Sequence, residues 1–189
     1  DGRLEAGLSL VNDGATAGDT RLAGVDLRWQ AAAATAMRAE LARSSSDDPL
    51  RAADATAWLA EVEHVTESVE ARAYLREQQP GFGVGQQLST EGGTRKAGLD
   101  LRWRLSEAWS LENELLAQRS LSTRADRQLA AAELRYDHDV AGAGVGLRHV
   151  ADRVPGQAVR RSEQAFLTGN LDVLDRKLTL RGSVEAALG

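Results

Sequence analysis

Two stretches of this sequence are nearly identical: residues 24–29 read GVDLRW and residues 98–103 read GLDLRW. In both stretches apolar residues alternate with charged or small ones, as Val25, Leu27 and Trp29 do in the first. Successive side chains of a β-strand point to opposite faces, so a period of two residues predicts a strand with one apolar face. The pair therefore indicates two related strands within one internal repeat.

The repeat also decides an ambiguous region. Residues 57–77 carry apolar side chains at helical spacing and are rich in good helix formers, so this region taken alone predicts a helix. However, residues 60–77 align without gaps onto residues 132–149, which contain Gly142, Gly144 and Gly146. Each glycine costs about 1 kcal/mol inside a helix, so the second copy is a poor helix. If both copies share one structure, both are strands.

The alternation predicts eleven strands in one domain that covers residues 1–189. Because the sequence starts at Asp1-Gly2-Arg3 in mid-pattern, without Met or an apolar signal segment, this domain is expected to belong to a longer chain. Most of them are nine to thirteen residues long, which matches the ~9–11 residues that a tilted strand needs to cross a bilayer. The predicted strands are residues 3–11, 20–30, 34–44, 56–65, 68–77, 93–104, 108–119, 127–137, 140–150, 162–174 and 177–188.

The predicted connections alternate in length along the chain. Short turns are expected near residues 31–33, 66–67, 105–107, 137–139 and 175. Longer polar or glycine-rich loops are expected at residues 12–19, 45–55, 78–92, 121–126 and 151–161. Short turns on one rim and long loops on the other are typical of outer-membrane barrels. The predicted fold is therefore all-β, an antiparallel up-and-down transmembrane β-barrel.

The two faces of the predicted strands differ in chemistry. One face carries Leu, Ala and Val, with aromatic residues near strand ends that suit a membrane interface. These aromatic residues are Trp29, Trp58, Trp103, Trp109 and Tyr136. The other face is expected to line the barrel lumen, where Arg and Glu on neighbouring strands form ion pairs. Its charged residues are Glu61, Glu63, Glu70, Arg72, Arg76, Asp100, Arg102, Arg104, Glu112, Glu114, Glu133, Arg135 and Arg148.

Composition excludes several classes of protein. The chain has 189 residues, a net charge of −5 and a mean hydropathy of −0.36. It lacks the ~18 consecutive apolar residues of a membrane helix, and it has no cysteine for disulfides or thiolate metal sites. The acidic balance argues against a nucleic-acid partner. No metal or cofactor site is expected.

Taken together, these strands and faces resemble the antiparallel transmembrane β-barrels of the Gram-negative outer membrane. Residues 74–95 also resemble a segment in barrel regions of large bacterial cell-envelope proteins. Such barrels have an even number of strands and end on an aromatic residue, whereas this sequence ends Ala187-Leu188-Gly189. A barrel of about twelve strands is therefore expected, with the twelfth strand beyond this sequence.

The resemblance implies an outer-membrane location and a role as a membrane anchor or a narrow, occluded, porin-like channel. It implies three partners: the lipid bilayer with its lipopolysaccharide, the barrel-insertion machinery, and an attached domain outside this chain. A barrel of about twelve strands is small enough for interior side chains to constrict it, which favours an anchor over bulk diffusion.

Two alternative functions stay open. An outer-membrane barrel hydrolase acting on lipid or peptide at the rim would use His149, Asp152 or His138. No nucleophile motif accompanies them, and residues 137–139 also fit a tight turn. A soluble β-barrel that binds a ligand would turn the apolar face inward instead, which alternation by itself does not exclude.

Overall fold

The computed structural model describes residues 2–15, 18–47, 54–83, 92–174 and 177–188. All of the regular structure in these ranges is β-strand, and the described part of the chain contains no helix that could span a membrane. The strands are β1 Arg3–Ala15, β2 Gly18–Ala32, β3 Thr35–Ser46, β4 Asp54–Val65, β5 Val69–Gln78, β6 Thr94–Arg104, β7 Trp109–Ser120, β8 Asp126–His138, β9 Ala141–Arg153, β10 Arg160–Val173 and β11 Leu178–Ala187.

Each strand pairs with its neighbours in sequence, and every pair is antiparallel. The result is a single up-and-down sheet in the order β1 to β11, with β1 and β11 at its two edges. The predicted all-β, up-and-down fold and its eleven strands are confirmed. The described strands form an open sheet, so closure into a barrel and a twelfth strand stay predictions.

The register preserves the internal repeat. Ala60 faces Leu75 across β4 and β5, and their repeat counterparts Ala132 and Leu147 face each other across β8 and β9. The β2–β3 and β6–β7 hairpins correspond in the same way, since Asp26 faces Glu40 and Asp100 faces Glu114. The helix-like residues 57–77 are therefore strands β4 and β5, as the glycines of the second copy predicted.

Connections alternate between two rims. The short-turn rim joins its strands through residues 33–34, 66–68, 105–108, 139–140 and 174–177. On the long-loop rim the connections are residues 16–17, 47–53, 79–93, 121–125 and 154–159.

The loop predicted at residues 12–19 is wrong. Strands β1 and β2 continue to Ala15 and Gly18 and remain paired there, because Asn12 and Asp13 are accommodated in the ladder. Residues 84–91, which belong to the segment that resembles cell-envelope barrels, lie outside the described residues.

The sheet has a charged face and an apolar face. Side chains alternate between the faces along each strand, and residues directly opposite each other across a ladder share a face, so the alternation is carried from strand to strand. Strand β9 shows the contrast: Gly142, Gly144 and Gly146 are buried, whereas the alternating Val145 and Leu147 are 53% and 59% exposed. Among the described apolar side chains, only Ala55 and Phe166 are buried. The apolar face is therefore open to its surroundings, and the sheet has no enclosed hydrophobic core within the described residues.

Candidate functional site

The register places all thirteen residues of the predicted charged set on the charged face. One row crosses four strands, from Glu63 on β4 to Arg72, Asp100 and Glu114 on β5, β6 and β7. Within this row the Glu63–Arg72 and Arg72–Asp100 neighbours have opposite signs. Opposite charges on neighbouring strands attract, so the row stabilises the pairing of β4, β5 and β6.

Ion pairs link the strands of this face. The Nε of Arg72 donates a hydrogen bond to Oε2 of Glu61 at 2.8 Å. The Nε of Arg102 lies 3.5 Å from Oε1 of Glu112. Arg135 lies within 4.0 Å of three carboxylates, at 3.6 Å from Asp137, 3.8 Å from Glu133 and 4.0 Å from Glu112. Sequence reasoning expected Arg and Glu to pair in this way, although it did not identify Arg135 as the most connected cation.

The closest of these pairs supports a prediction. Glu61 is only 13% exposed, whereas Arg72 is 54% exposed and partly screened by water. We expect Glu61→Gln and Arg72→Gln to be non-additive by about 0.5–1 kcal/mol in the free energy of unfolding. Urea unfolding of the two single variants and the double variant measures this coupling. Losses that simply add would show that the pair contributes no interaction energy.

Aromatic rings cover glycines on this face. The ring of Phe166 lies over Gly146, and the ring of Tyr74 lies over Gly98. The guanidinium of Arg148 is 5.2 Å from the centre of the Phe166 ring. Gly146 on β9 and Gly98 on β6 therefore make room for an aromatic ring. Tyr74 and Phe166 themselves were missed, because a lone aromatic residue within a polar alternation gives no sign of what it covers.

The apolar face carries all five predicted interfacial aromatic residues. Four lie close to the short-turn rim, and Trp58 lies closer to the long-loop rim. The rings of Trp109 and Tyr136 pack with centroids 5.0 Å apart and planes inclined by 55°. The four aromatic residues near the short-turn rim form a row along that edge of the apolar face.

On the apolar face, the side chains of β2, β6 and β8 follow the same order from one rim to the other. Residues 23–29, 97–103 and 130–136 each contribute four apolar side chains to this face, and each series ends on an aromatic residue beside the short-turn rim. Seven residues of extended strand span roughly 20 Å. The next position toward the long-loop rim is polar on each strand: Arg21, Arg95 and Gln128. An apolar band thus lies between an aromatic row and a polar row.

Two histidines, His138 and His149, were named together with Asp152 for a hydrolase at the rim. His149 lies on the apolar face with its Nδ1 3.5 Å from Glu163 Oε1, whereas Asp152 lies on the charged face beside Arg127. His138 is the last residue of β8 rather than part of the turn, and its ring stacks on Tyr136 at 6.2 Å. The structure therefore does not bring the residues named for a hydrolase together.

No protein-family model and no curated protein matches this sequence. Function is therefore inferred from the two faces of the sheet and from its rims.

Proposed function

We propose that this sheet is part of the wall of a β-barrel in a bacterial outer membrane, where it serves as a membrane anchor or a narrow, occluded channel. One observation carries the proposal: the apolar face is open, while the charged side chains pack against one another on the opposite face. Leu8, Leu10 and Val184 are 84%, 85% and 68% exposed. An apolar surface of this extent is unfavourable in water and marks contact with lipid or another apolar partner.

The charged face supports the same orientation. An arginine or lysine facing lipid at the bilayer midplane costs roughly 2–4 kcal/mol, so a face that carries the thirteen predicted charged residues, and further ones such as Arg28 and Asp152, does not contact acyl chains. Inside a barrel, the positive charges of Arg72, Arg102 and Arg135 would be neutralised by the carboxylates with which these arginines pair. Paired side chains of this size would also fill much of a small lumen, which favours an anchor or a constricted channel over an open pore.

The dimensions of the wall are consistent with this role. The eleven strands contain 10 to 15 residues, enough for tilted strands to cross a bilayer. The strictly apolar part, roughly 20 Å along each strand, is shorter than the ~25 Å band of known barrels. The stems of Arg21 and Arg95 extend it, because arginine can lay its methylene groups on apolar surface while its charge reaches the headgroups.

Closure of the wall has a simple geometric requirement. Because eleven is an odd number, β1 and β11 run in the same direction, so joining them directly would create one parallel pair. We therefore propose that an additional antiparallel strand completes the wall, which gives the even number found in bacterial barrels.

Fractionation of the protein tests the proposal. We expect it to sediment with outer membranes and to require detergent for extraction. Its unheated form should also migrate differently from its boiled form on a gel, because a folded barrel resists unfolding by detergent. A folded monomer that is stable in buffer without detergent would refute the membrane role.

A folded monomer that is stable without detergent would instead favour a soluble ligand-binding protein. The observation behind this second candidate is an open depression of about 880 Å³ on the apolar face. Its lining includes Leu27, Met37, Val62, Leu99 and Leu115, from five strands. In a soluble protein this surface would need an apolar ligand to cover it, and delipidation would then destabilise the fold.

A further inference from the structure

We propose that the edges of β1 and β11 bind a single strand between them, and that this strand is a third copy of the type represented by β4 and β8, with a glutamate facing Arg181. The inference rests on the proposed closed wall and deepens it by assigning the closing strand its pattern, its register and its ion pair. Its basis is a four-strand repeat in the ladders of the sheet.

The sheet is built from units of four strands. Strands β2 to β5 form one unit and β6 to β9 form the next, since residues 60–77 align with residues 132–149. The register carries the scheme on to β10. Gly144 is the repeat counterpart of Arg72, and Gly144 faces Thr168 on β10 as Arg72 faces Asp100 on β6. Strands β10 and β11 are therefore the first two strands of a third unit.

Strand β1 corresponds to the last strand of a unit. Residues 6–10 of β1 read AGLSL, and residues 143–147 of β9 read AGVGL. The register agrees with this match, because Gly7 faces Asp26 on β2 as Gly144 faces Thr168 on β10. A third unit that begins with β10 and β11 and ends with β1 lacks only its third strand, the place that β4 and β8 hold in the other two units.

The stagger of the ladders is the same in both complete units. A path straight across the sheet from Gly7 reaches Arg76 on β5, four residues beyond its counterpart Arg72. The corresponding path from Arg72 reaches Arg148 on β9, four residues beyond Gly144. Three such units would close with twelve strands and a stagger of twelve residues. Equal strand number and stagger correspond to a strand tilt of about 36°, as in an eight-stranded barrel of shear 8, which lies within the usual range for barrels.

The register also assigns the new strand an ion pair with Arg181. In the first unit Arg38 holds the corresponding position on β3 and faces Glu61. In the second unit Glu112 holds it on β7 and faces Glu133. A third copy therefore places a glutamate opposite Arg181. Among the described residues, no carboxylate lies within 4.0 Å of the Arg181 guanidinium, so the pair would supply its missing counter-charge.

Both edges continue the alternation of the wall toward the gap. Leu8 and Leu10 on β1, and Leu180 and Val184 on β11, are exposed on the apolar face. Each of the two edge strands has a ladder partner on one side only within the described sheet. Backbone N–H and C=O groups on the free side find no partner in lipid, so a strand with one apolar face is the occupant that satisfies both edges.

Supplying this strand to the chain tests the inference. The extended chain carries a second copy of residues 54–65, the strand β4, directly before Asp1. Residues 1–3 then correspond to residues 66–68, which link β4 to β5. In detergent we expect the extended chain to migrate as a heat-modifiable monomer with a higher denaturant midpoint than the 189-residue chain. The matched control copies residues 55–66 instead, which moves every side chain to the opposite face and is expected to give no gain.

A distance across the gap reports how many strands fill it. Leu8 and Leu180 correspond to Ala73 and Met37, which lie opposite each other across Val62 of β4. Because the sequence contains no cysteine, Leu8→Cys and Leu180→Cys provide specific sites for two spin labels. With one strand between them, the two Cα atoms lie about 10 Å apart, or two strand spacings. We expect dipolar broadening of the spectrum in the extended chain and less broadening in the control.

The ion pair is tested by exchanging its charges. Glu61→Lys in the copied strand is expected to lower the denaturant midpoint of the extended chain, because the new lysine faces Arg181. Adding Arg181→Glu should restore the midpoint, since opposite charges then face each other again. No loss with the first substitution, or no recovery with the second, would contradict the assigned register.

Other results would overturn the closing strand itself. These are equal stabilisation by the two extensions and no added broadening in the extended chain. If the extended chain does not fold, a peptide of residues 54–65 should still bind the 189-residue chain more tightly than a peptide of residues 55–66, and equal or absent binding would refute the inference. The outcome is separable from the membrane role: a 189-residue chain that enters membranes and is heat-modifiable, yet gains nothing from the copied strand, would retain the proposed function and lose this assignment.

Discussion

Replacing Val184 with arginine is expected to lower the free energy of unfolding of the membrane-inserted protein by roughly 2–4 kcal/mol. Val184 lies near the middle of β11 on the apolar face and is 68% exposed. If this face contacts acyl chains, the new guanidinium is moved from water into hydrocarbon. Reversible unfolding from lipid vesicles by denaturant measures the change, and the yield of heat-modifiable protein gives a second readout.

Ser183 supplies the matched control for this prediction. It is the adjacent residue on the same strand, it is also exposed, and it lies on the charged face opposite Thr168. Ser183→Arg is therefore expected to have little effect on stability. In a protein surrounded by water, both arginines would be tolerated because both positions are exposed. Equal stability of the two variants would thus contradict the membrane role of the apolar face.

Replacing Gly146 with alanine is expected to destabilise the sheet by about 1–3 kcal/mol, the usual range for overpacking. A Cβ at this position would lie 2.7 Å from the backbone carbonyl oxygen of Ala132 and would also collide with the Phe166 ring. The ring can rotate away only by exposing its buried surface, and the carbonyl is fixed by the β8–β9 ladder. A lower unfolding midpoint in denaturant would report this strain.

A second glycine separates strain from the general effect of adding a methyl group to a strand. Gly182 lies on β11, and a Cβ there would meet nothing within 4 Å. We expect Gly182→Ala to be neutral or slightly stabilising, because alanine loses less conformational entropy than glycine on folding. If Gly146→Ala proved as harmless as Gly182→Ala, the close packing of β9 against β8 and β10 would be wrong.

These predictions share a physical basis in the way the sheet is stabilised. The described residues contain no large side chain that is fully buried, so an enclosed core contributes little. The ladder hydrogen bonds, the ion pairs of the charged face and the rings over glycines remain as internal contributions. A bilayer would supply the rest, because lipid removes the apolar face from water and leaves backbone groups no alternative partners.

The alternation in the sequence predicted most of the fold, because the face on which a side chain lies is a local property of its own strand. The pleat fixes which side chains share a face within one strand, so positions 25, 27 and 29 were assigned together correctly. The repeat then extended the strand assignment to residues 57–77, since the glycines at positions 142, 144 and 146 argued against a helix for both copies. Strand ends depend on pairing with the neighbouring strand, and the predicted loop at 12–19 was wrong because polar residues there do not prevent pairing.

The candidate sites depended on the alignment of strands that are distant in sequence. The thirteen charged residues could be assigned to one face from their odd or even position along each strand. The residues with which they form ion pairs could not be predicted in this way. Arg148 on β9 lies 3.5 Å from Glu185 on β11, across the intervening strand β10. His149 and Asp152 are close in sequence, but they lie an odd number of residues apart on the same strand and therefore on opposite faces.

The sequence by itself therefore determined the strands, their two chemically different faces and the alternation of most turns and loops. These follow from the two-residue period of extended backbone and from a repeat visible in the letters. Only the tertiary structure decided which ring covers Gly146 and which three carboxylates surround Arg135. Such contacts depend on the register of every ladder between the strands involved, and register is fixed by pairing across the whole sheet.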